Sequence, residues 1–425
     1  MPPTEPAPHP REQPVPSSTR SRRTRTLPAP RSGHRAGALS VVGLILLTLN
    51  LRAAITGIPP VLATLQADLH LCGTQAAVLT TLPVLCLGVF APVAPVLARR
   101  TGTETVLAGA LVLILAGILL RTLPTQAALF AGTLVAGAGI ALGNVLMPAV
   151  IKRDFPDRIG VMTGLAMTLM AATGALAAGL AVPLTAAGGR RAALTVWAAP
   201  ALAAATAWTL LAVRRTPLGP PAAAAPATAG TAPPASVLRS PLAWAVSALL
   251  GIVSLCFYVL VAWTPQIMRD EGYPAAEAGA MTSVMLTIGI PLGLAVPIAA
   301  ARVRDQRPLV ATVIALKAAG LTGILLAPQQ AWAWTGVLGV AIGAAFPLAM
   351  TILGLRSPDP ATAARLSAMA QTGGYLLAGC GPAAIGILHT LTGGWHTPIV
   401  FLIACTVPEL LVGLVAGRSG FVGAR

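Results

Sequence analysis

Apolar residues run along this chain in stretches of about twenty, the length an α-helix needs to cross the hydrocarbon of a bilayer. Twelve such stretches are read, near residues 38–59, 75–97, 104–122, 126–150, 160–184, 191–213, 241–264, 276–300, 308–328, 332–355, 364–389 and 396–416. A spanning backbone must satisfy its own hydrogen bonds, so each stretch is expected to be helical. The pattern predicts an all-α membrane protein with twelve transmembrane helices in two pseudo-symmetric six-helix halves. Residues 1–36, rich in Pro, Ser and Arg, are expected to form a disordered cytoplasmic tail. Residues 37–213 make the N-terminal half, 214–240 a flexible Pro/Ala-rich cytoplasmic linker, 241–417 the C-terminal half and 418–425 a second cytoplasmic tail. Ser21-Arg22-Arg23 lacks the apolar continuation of a twin-arginine signal, so no cleaved leader is expected.

The halves echo each other at an offset near 202. Asp68, Thr80, Pro95 and Arg100 fall on Asp270, Thr282, Pro297 and Arg302, and Gly139-x-x-x-Gly143 with Pro148 is echoed by Gly339-x-x-x-Gly343 with Pro347. Duplicated six-helix units place a binding site near midplane between them, the arrangement of a transporter built from repeats. Small residues four apart, in those pairs and in Gly160-x-x-x-Gly164, let helices approach closely, whether for sliding seams or for ordinary packing.

Composition agrees: 56% of residues are hydrophobic and 9% charged. Lys occurs only at positions 152 and 317 against 26 Arg, a bias read as a GC-rich bacterial genome. The formal charge of +16 does not point to nucleic acid, because the basic residues lie in tails and loops. With both termini inside, 22 basic residues fall on the inner side and four on the outer: Arg121, Arg190, Arg191 and Arg269. That asymmetry predicts a multi-pass protein of the bacterial plasma (inner) membrane with cytoplasmic termini. The five Cys show no metal-ligand spacing, and no Asp-rich, His-rich or Ser/His/Asp constellation suggests an enzyme. No catalytic residue, metal or cofactor is expected; the partners are a small-molecule substrate and the lipid bilayer, and the chain is read as a monomer.

Arg52 and Lys317 are the basic residues left inside spans. A cation at bilayer depth costs about 2.5–3.5 kcal/mol on insertion scales, so Arg52 is expected to face a polar cavity or an anion rather than lipid. Thr48, Arg52 and Thr56 share a helical face. Arg52 either anchors substrate through its planar fork or caps carbonyls where the helix breaks near Pro59-Pro60; the anchor reading is preferred. Ser367, Gln371 and Tyr375 form a polar stripe in the eleventh span, fit either for substrate or for interhelical hydrogen bonds. At the repeat offset, Ser254 and Tyr258 correspond to Arg52 and Thr56. Phe257 and Trp263 are read as packing or interface aromatics. Asn144 either lines the cavity or bonds a neighbouring helix. Lys317 and Glu409 lie at similar depth and are expected to pair or to snorkel.

Several stretches carry a family resemblance: Leu49-Asn50-Leu51-Arg52-x-Ala54-Ile55-Thr56, Thr80-Thr81-Leu82-Pro83-Val84, and Gly143 to Pro148 followed by Lys152-Arg153-Asp154-Phe155-Pro156. In the second half they are Phe257 to Trp263 with Pro265, Ala345-Phe346-Pro347-Leu348, and Ala364 to Gln371. On these the chain resembles the major facilitator superfamily, and within it the cyanate-type and 2-nitroimidazole-type transporters. The resemblance implies the major facilitator fold and transport of small anions or small polar organics by alternating access. The chain departs from the superfamily loop pattern: Pro95 and Arg99 stand where Gly and Asp belong, although Arg100 and Gly102 are kept. Val253 and Ile342 stand where the resemblance implies polar residues.

The expected substrate-binding set is therefore Arg52, Thr56, Asn144, Tyr258, Gln371 and Tyr375, and the expected gating set Arg100, Lys152 and Arg302. The pathway helices hold no Asp or Glu, which argues for uniport, exchange or a proton carried by a weakly acidic substrate; His389 is the only titrating alternative nearby. The expected function is transport, secondary active or facilitative, of a small anion or weakly acidic polar organic solute. Efflux of uncharged drug-like compounds is the alternative.

Overall fold

The computed structural model describes residues 33–215 and 237–423, so the expected N-terminal tail and central linker lie almost wholly outside the described residues. Fourteen α-helices are described. The first half holds α1 (Gly33–Thr56), α2 (Leu62–Leu69), α3 (Gly73–Phe90), α4 (Val93–Thr101), α5 (Thr103–Leu120), α6 (Gln126–Asp154), α7 (Ile159–Thr195) and α8 (Ala198–Arg215). The second holds α9 (Pro241–Asp270), α10 (Ala275–Arg302), α11 (Arg307–Leu326), α12 (Ala331–Arg356), α13 (Pro360–Thr392) and α14 (His396–Ala416).

Eleven segments among the described residues are long and apolar enough to cross a membrane, but one of them, Pro156–Arg214, has 59 residues. A straight helix of that length would reach about 88 Å, near three times the hydrocarbon thickness. Its backbone leaves the helical region at Gly188 and at Gly189, where φ is 68°, a left-handed value that glycine tolerates without a Cβ clash. The segment therefore turns and crosses twice, giving the twelve crossings expected. The second crossing is bent in its turn. α3 stops at Phe90 and α4 restarts at Val93 across Pro92, which has no N–H to continue the ladder.

At the arginine-rich ends of the helices the two halves share one apolar core, in which Leu146, Val150 and Ile159 join Leu348, Ile352 and Leu366. At the opposite ends each half keeps its own core: Ile58, Leu65, Leu79 and Leu129 in the first, Ile267, Met281, Ile324 and Ile399 in the second. Small residues make the shared seam possible. A Cβ on Gly160 would lie 2.5 Å from the Pro297 carbonyl oxygen, and one on Gly164 2.9 Å from that of Leu294, so α7 and α10 touch backbone to backbone there. The halves thus share buried apolar packing on the arginine-rich side and keep separate apolar cores on the other.

Lys317 and Glu409 do pair. The ammonium donates to both carboxylate oxygens, at 2.6 and 2.8 Å, joining α11 to α14 with side chains 1% and 0% exposed. Arg121, expected as an outer loop charge, is instead buried at 2% exposure. It follows Leu120 directly, and its guanidinium turns inward rather than to water. Residues 418–423 fold back on the body: Val422 is buried and donates its N–H to the Arg356 carbonyl, while Arg356 bonds the carbonyls of Ala416 and Gly417.

A buried pair tolerates joint replacement better than loss of one member. Glu409→Leu alone should cost about 3–5 kcal/mol by stranding Lys317, whereas Lys317→Met with Glu409→Leu should unfold near the wild-type temperature. Thermal unfolding of the three proteins in one detergent checks this.

Candidate functional site

Arg52 lies on the last turn but one of α1, which ends at Thr56. The residue is half-buried, and its guanidinium makes no hydrogen bond or ion pair with any described residue. Its stem runs against α7 at Gly174, where a Cβ would come within 2.8 Å of Arg52 Cγ. Tyr258 of α9 and Tyr375 of α13 are near enough to interact electrostatically with the Arg52 charge, and with each other. Tyr258 is steadied edge-on by Phe257, ring centroids 5.4 Å apart. A cation from one half and two phenols from the other thus converge between the halves. A guanidinium supplies five fixed donors and each phenol one more, a set suited to a small planar or anionic solute.

One turn from Tyr375 toward the arginine-rich end, Gln371 is fully buried. Its Nε2 donates to Ser367 Oγ at 2.7 Å and to the backbone carbonyl of Asn144 at 3.2 Å, across the gap between halves. Asn144 O is free because the residue four positions on is Pro148, which has no N–H to return. Gln371 Oε1 has no partner. Asn144 contributes its main chain to this bridge, and its side chain is buried.

The face expected from Thr48, Arg52 and Thr56 opens only at Arg52. Thr48 is fully buried and bonds the Ile45 carbonyl. The Thr56 hydroxyl is engaged by the carbonyls of Arg52 and Gly174, at 3.2 and 3.0 Å, and ties α1 to α7 rather than offering a free donor. Ser254 is buried one turn from Tyr258. Trp263 packs within the second half, donating to the Pro382 carbonyl and lying 5.3 Å from the Trp395 ring, and His389 stacks on the same Trp395 at 4.1 Å.

Of the three expected gating residues, Arg100 and Arg302 are exposed and pair with no described residue. Lys152 behaves differently. It lies in the last turn of α6, at the arginine-rich end, and interacts electrostatically with Asp359, the N-cap of α13 in the other half, without forming a contact ion pair. Burial alone would raise the Asp359 carboxyl, but hydrogen bonds from Thr362 and the Ala361 backbone, with Arg365 nearby, hold it below the usual carboxylate range. Asp359 is therefore a standing negative charge opposite Lys152. Arg153 meanwhile bonds Glu104 at 2.8 Å and Asp154 at 2.7 Å inside the first half. Sequence reading missed Gly174, Asp359 and Arg121; the Asn144-x-x-x-Pro148 spacing was the one available signal for the bridging carbonyl.

Two six-crossing halves that meet around a half-buried cation have the architecture of a membrane transporter built from repeats. Comparison with known proteins agrees: the profile of the Major Facilitator Superfamily matches residues 44–338. The chain belongs to the Major Facilitator Superfamily and is a multi-pass membrane transporter. It is 38% identical to the 2-nitroimidazole transporter of Escherichia coli K12 over 380 residues, 89% of this chain and 95% of that one. It is 30% identical to the cyanate transport protein CynX of the same organism over 374 residues, 87% and 95% of the two chains. The E. coli fucose:proton symporter FucP superposes with a TM-score of 0.70 at 12% identity, over 91% of this chain and all of that one. The proton:xylose symporter XylE gives 0.69, also at 12% identity, over 92% and 98%.

Gly174→Ala should gain helix propensity, by up to about 1 kcal/mol, yet crowd the Arg52 stem. We expect thermal stability near wild type with solute uptake into liposomes reduced at least about tenfold, the effect of displacing one charge-assisted contact. Equal uptake would show that the Arg52 position is not set by α7.

Proposed function

We propose that this protein moves a small anion or a weakly acidic polar organic solute, of the cyanate-like or nitroimidazole-like kind, by alternating access. The observation that carries the reading is Arg52: a guanidinium without a partner among the described residues, within electrostatic reach of Tyr258 and Tyr375 of the other half. An isolated cation at this depth is expensive, and an anionic or nitro-bearing solute offsets the cost while accepting paired hydrogen bonds. The relatives named above are called transporters of 2-nitroimidazole and of cyanate, which fits the same chemistry.

With the arginine-rich side cytoplasmic, as the excess of basic residues there favours, the arrangement is outward-facing. The Gln371 bridge to Asn144 and the Lys152–Asp359 attraction then hold the inner side shut, and the α7–α10 seam is the surface on which the halves rock. Solute bound at Arg52 draws Tyr258 and Tyr375 toward the first half, closing the outer side. The inner bridge is a single hydrogen bond at 3.2 Å, weak enough to exchange as the outer side closes.

Uptake of cyanate and of 2-nitroimidazole into proteoliposomes tests the reading. Arg52→Ala should weaken the better substrate by about ten- to a hundredfold, the worth of a charge-assisted pair of hydrogen bonds. Arg52→Lys should recover only part, because an ammonium lacks the planar fork. Unchanged affinity and turnover in Arg52→Ala would remove the anchor and leave efflux of uncharged compounds as the better account.

A further inference from the structure

A side chain that anchors solute must project from a turn that is held still, and α1 is a poor support on its own backbone. It ends at Thr56, and Pro59 and Pro60 have no N–H to offer the carbonyls of Ile55 and Thr56. The Ile58 N–H reaches back to Ile55 at 3.5 Å and not to Ala54. The chain becomes helical again only through a 3-10 turn at Pro59–Val61 and then α2 from Leu62, so the last turn of α1 lacks the donors that would continue it. Arg52 lies one turn before this end.

The donor missing at Ala54 comes from another helix. Arg121 follows α5 directly, and its Nη1 donates at 2.6 Å to the Ala54 carbonyl. Its stem lies on α6, where a Cβ on Gly132 would come within 2.9 Å of Arg121 Cγ. Arg121 is 2% exposed, its Nε and Nη2 have no partner, and it forms no ion pair among the described residues. Ala54 is therefore the one acceptor that the guanidinium meets. Two unmet buried donors cost at least as much stability as one charge-assisted bond returns. Arg121 is thus a poor device for stability alone, and its single bond goes to the helix that carries Arg52.

A cation suits this place, because the C-terminal end of a helix is negative. From the other side Thr56 ties the same turn to the Gly174 carbonyl of α7. Carbonyl capping ahead of Pro59-Pro60, one of the two roles open to Arg52 from the sequence, falls to Arg121 instead.

We propose that Arg121 is a positioning residue for solute recognition: by capping Ala54 it fixes the turn of α1 from which Arg52 projects. This rests on Arg52 being the solute anchor. Loss of the cap lets solute enter but misplaces its anchor, so affinity falls while turnover changes little.

Uptake kinetics in proteoliposomes test it, with whichever of cyanate and 2-nitroimidazole the wild type carries better. Arg121→Met should raise KM about tenfold and leave kcat within about twofold of wild type. Arg121→Lys, which keeps the charge and one donor for Ala54, should recover most of that loss. In an Arg52→Ala background Arg121→Met should raise KM no further, because the side chain it positions is gone. An unaltered KM in Arg121→Met, a KM in Arg121→Lys as high as in Arg121→Met, or an equal rise with and without Arg52 would each overturn the role. These outcomes leave the anchor standing when Arg52→Ala alone is impaired. An unaltered KM in Arg52→Ala, or uptake of neither solute by wild type, would remove the anchor and this role with it. If Arg121→Met does not fold, Arg121→Gln, two atoms shorter and so short of Ala54, takes its place in both backgrounds.

Discussion

A positive charge taken out of water into the bilayer must find negative charge, oriented carbonyls or an opening, and much of this structure is organised by how its three deeply placed cations do so. Lys317 meets the first demand fully: Glu409 takes it at 2.6 Å on a neighbouring helix, and the result is an internal strut of the second half, with no charge left to act on anything that passes. Arg121 meets the second in part, through one carbonyl of α1. Arg52 has neither among the described residues, and it lies within electrostatic reach of two tyrosines of the other half. The three side chains have the same formal charge; their surroundings give them different work.

That division depends on how the two ends of the molecule are packed. The halves join through a common apolar core only at the arginine-rich side, and the joint is built from glycines on α7 against α10 and from a proline that releases a carbonyl on α6. The glycines are its points of closest approach, and side chains such as Leu146, Val150, Leu348 and Ile352 pack around them. On the proposed alternating-access reading, the backbone-to-backbone part of the seam loses few specific interactions when it slides, and the separate core of each half stays intact.

Much of this was legible in the chain. Runs of twenty apolar residues gave the crossings because hydrogen bonding in lipid leaves the backbone no other choice, and a charge inside such a run gave Arg52 because its cost has no structural excuse. Period alone could not say which part of a face is covered. Thr48 and Thr56 share the face of Arg52, but α1 is buried at one and bonded to α7 at the other. Arg121 read as a loop charge because it is the first residue after an apolar run; only the packing of α1 against the end of α5 turns it inward. Gly174 is one small residue among many until the Arg52 stem is seen lying on it. Lys152 could be singled out as a candidate for gating, but Asp359 could not, since it lies more than two hundred residues away and caps a helix by a local rule that says nothing of partners across the seam.

The charge inventory also bears on how motion and binding are linked. Among the described residues Glu409 is the only fully buried carboxylate, and Lys317 already neutralises it. None of the described carboxylates pairs with Arg52. Closing the outer side over an empty site would seal a bare guanidinium away from water, and the desolvation cost would fall entirely on the closed form. Closing it over a bound anion seals a neutral complex with its hydrogen bonds made. On the proposed reading, the electrostatic difference between these two closed forms is a coupling energy that needs no proton-carrying side chain: it favours closure when the site is filled and opposes it when the site is empty.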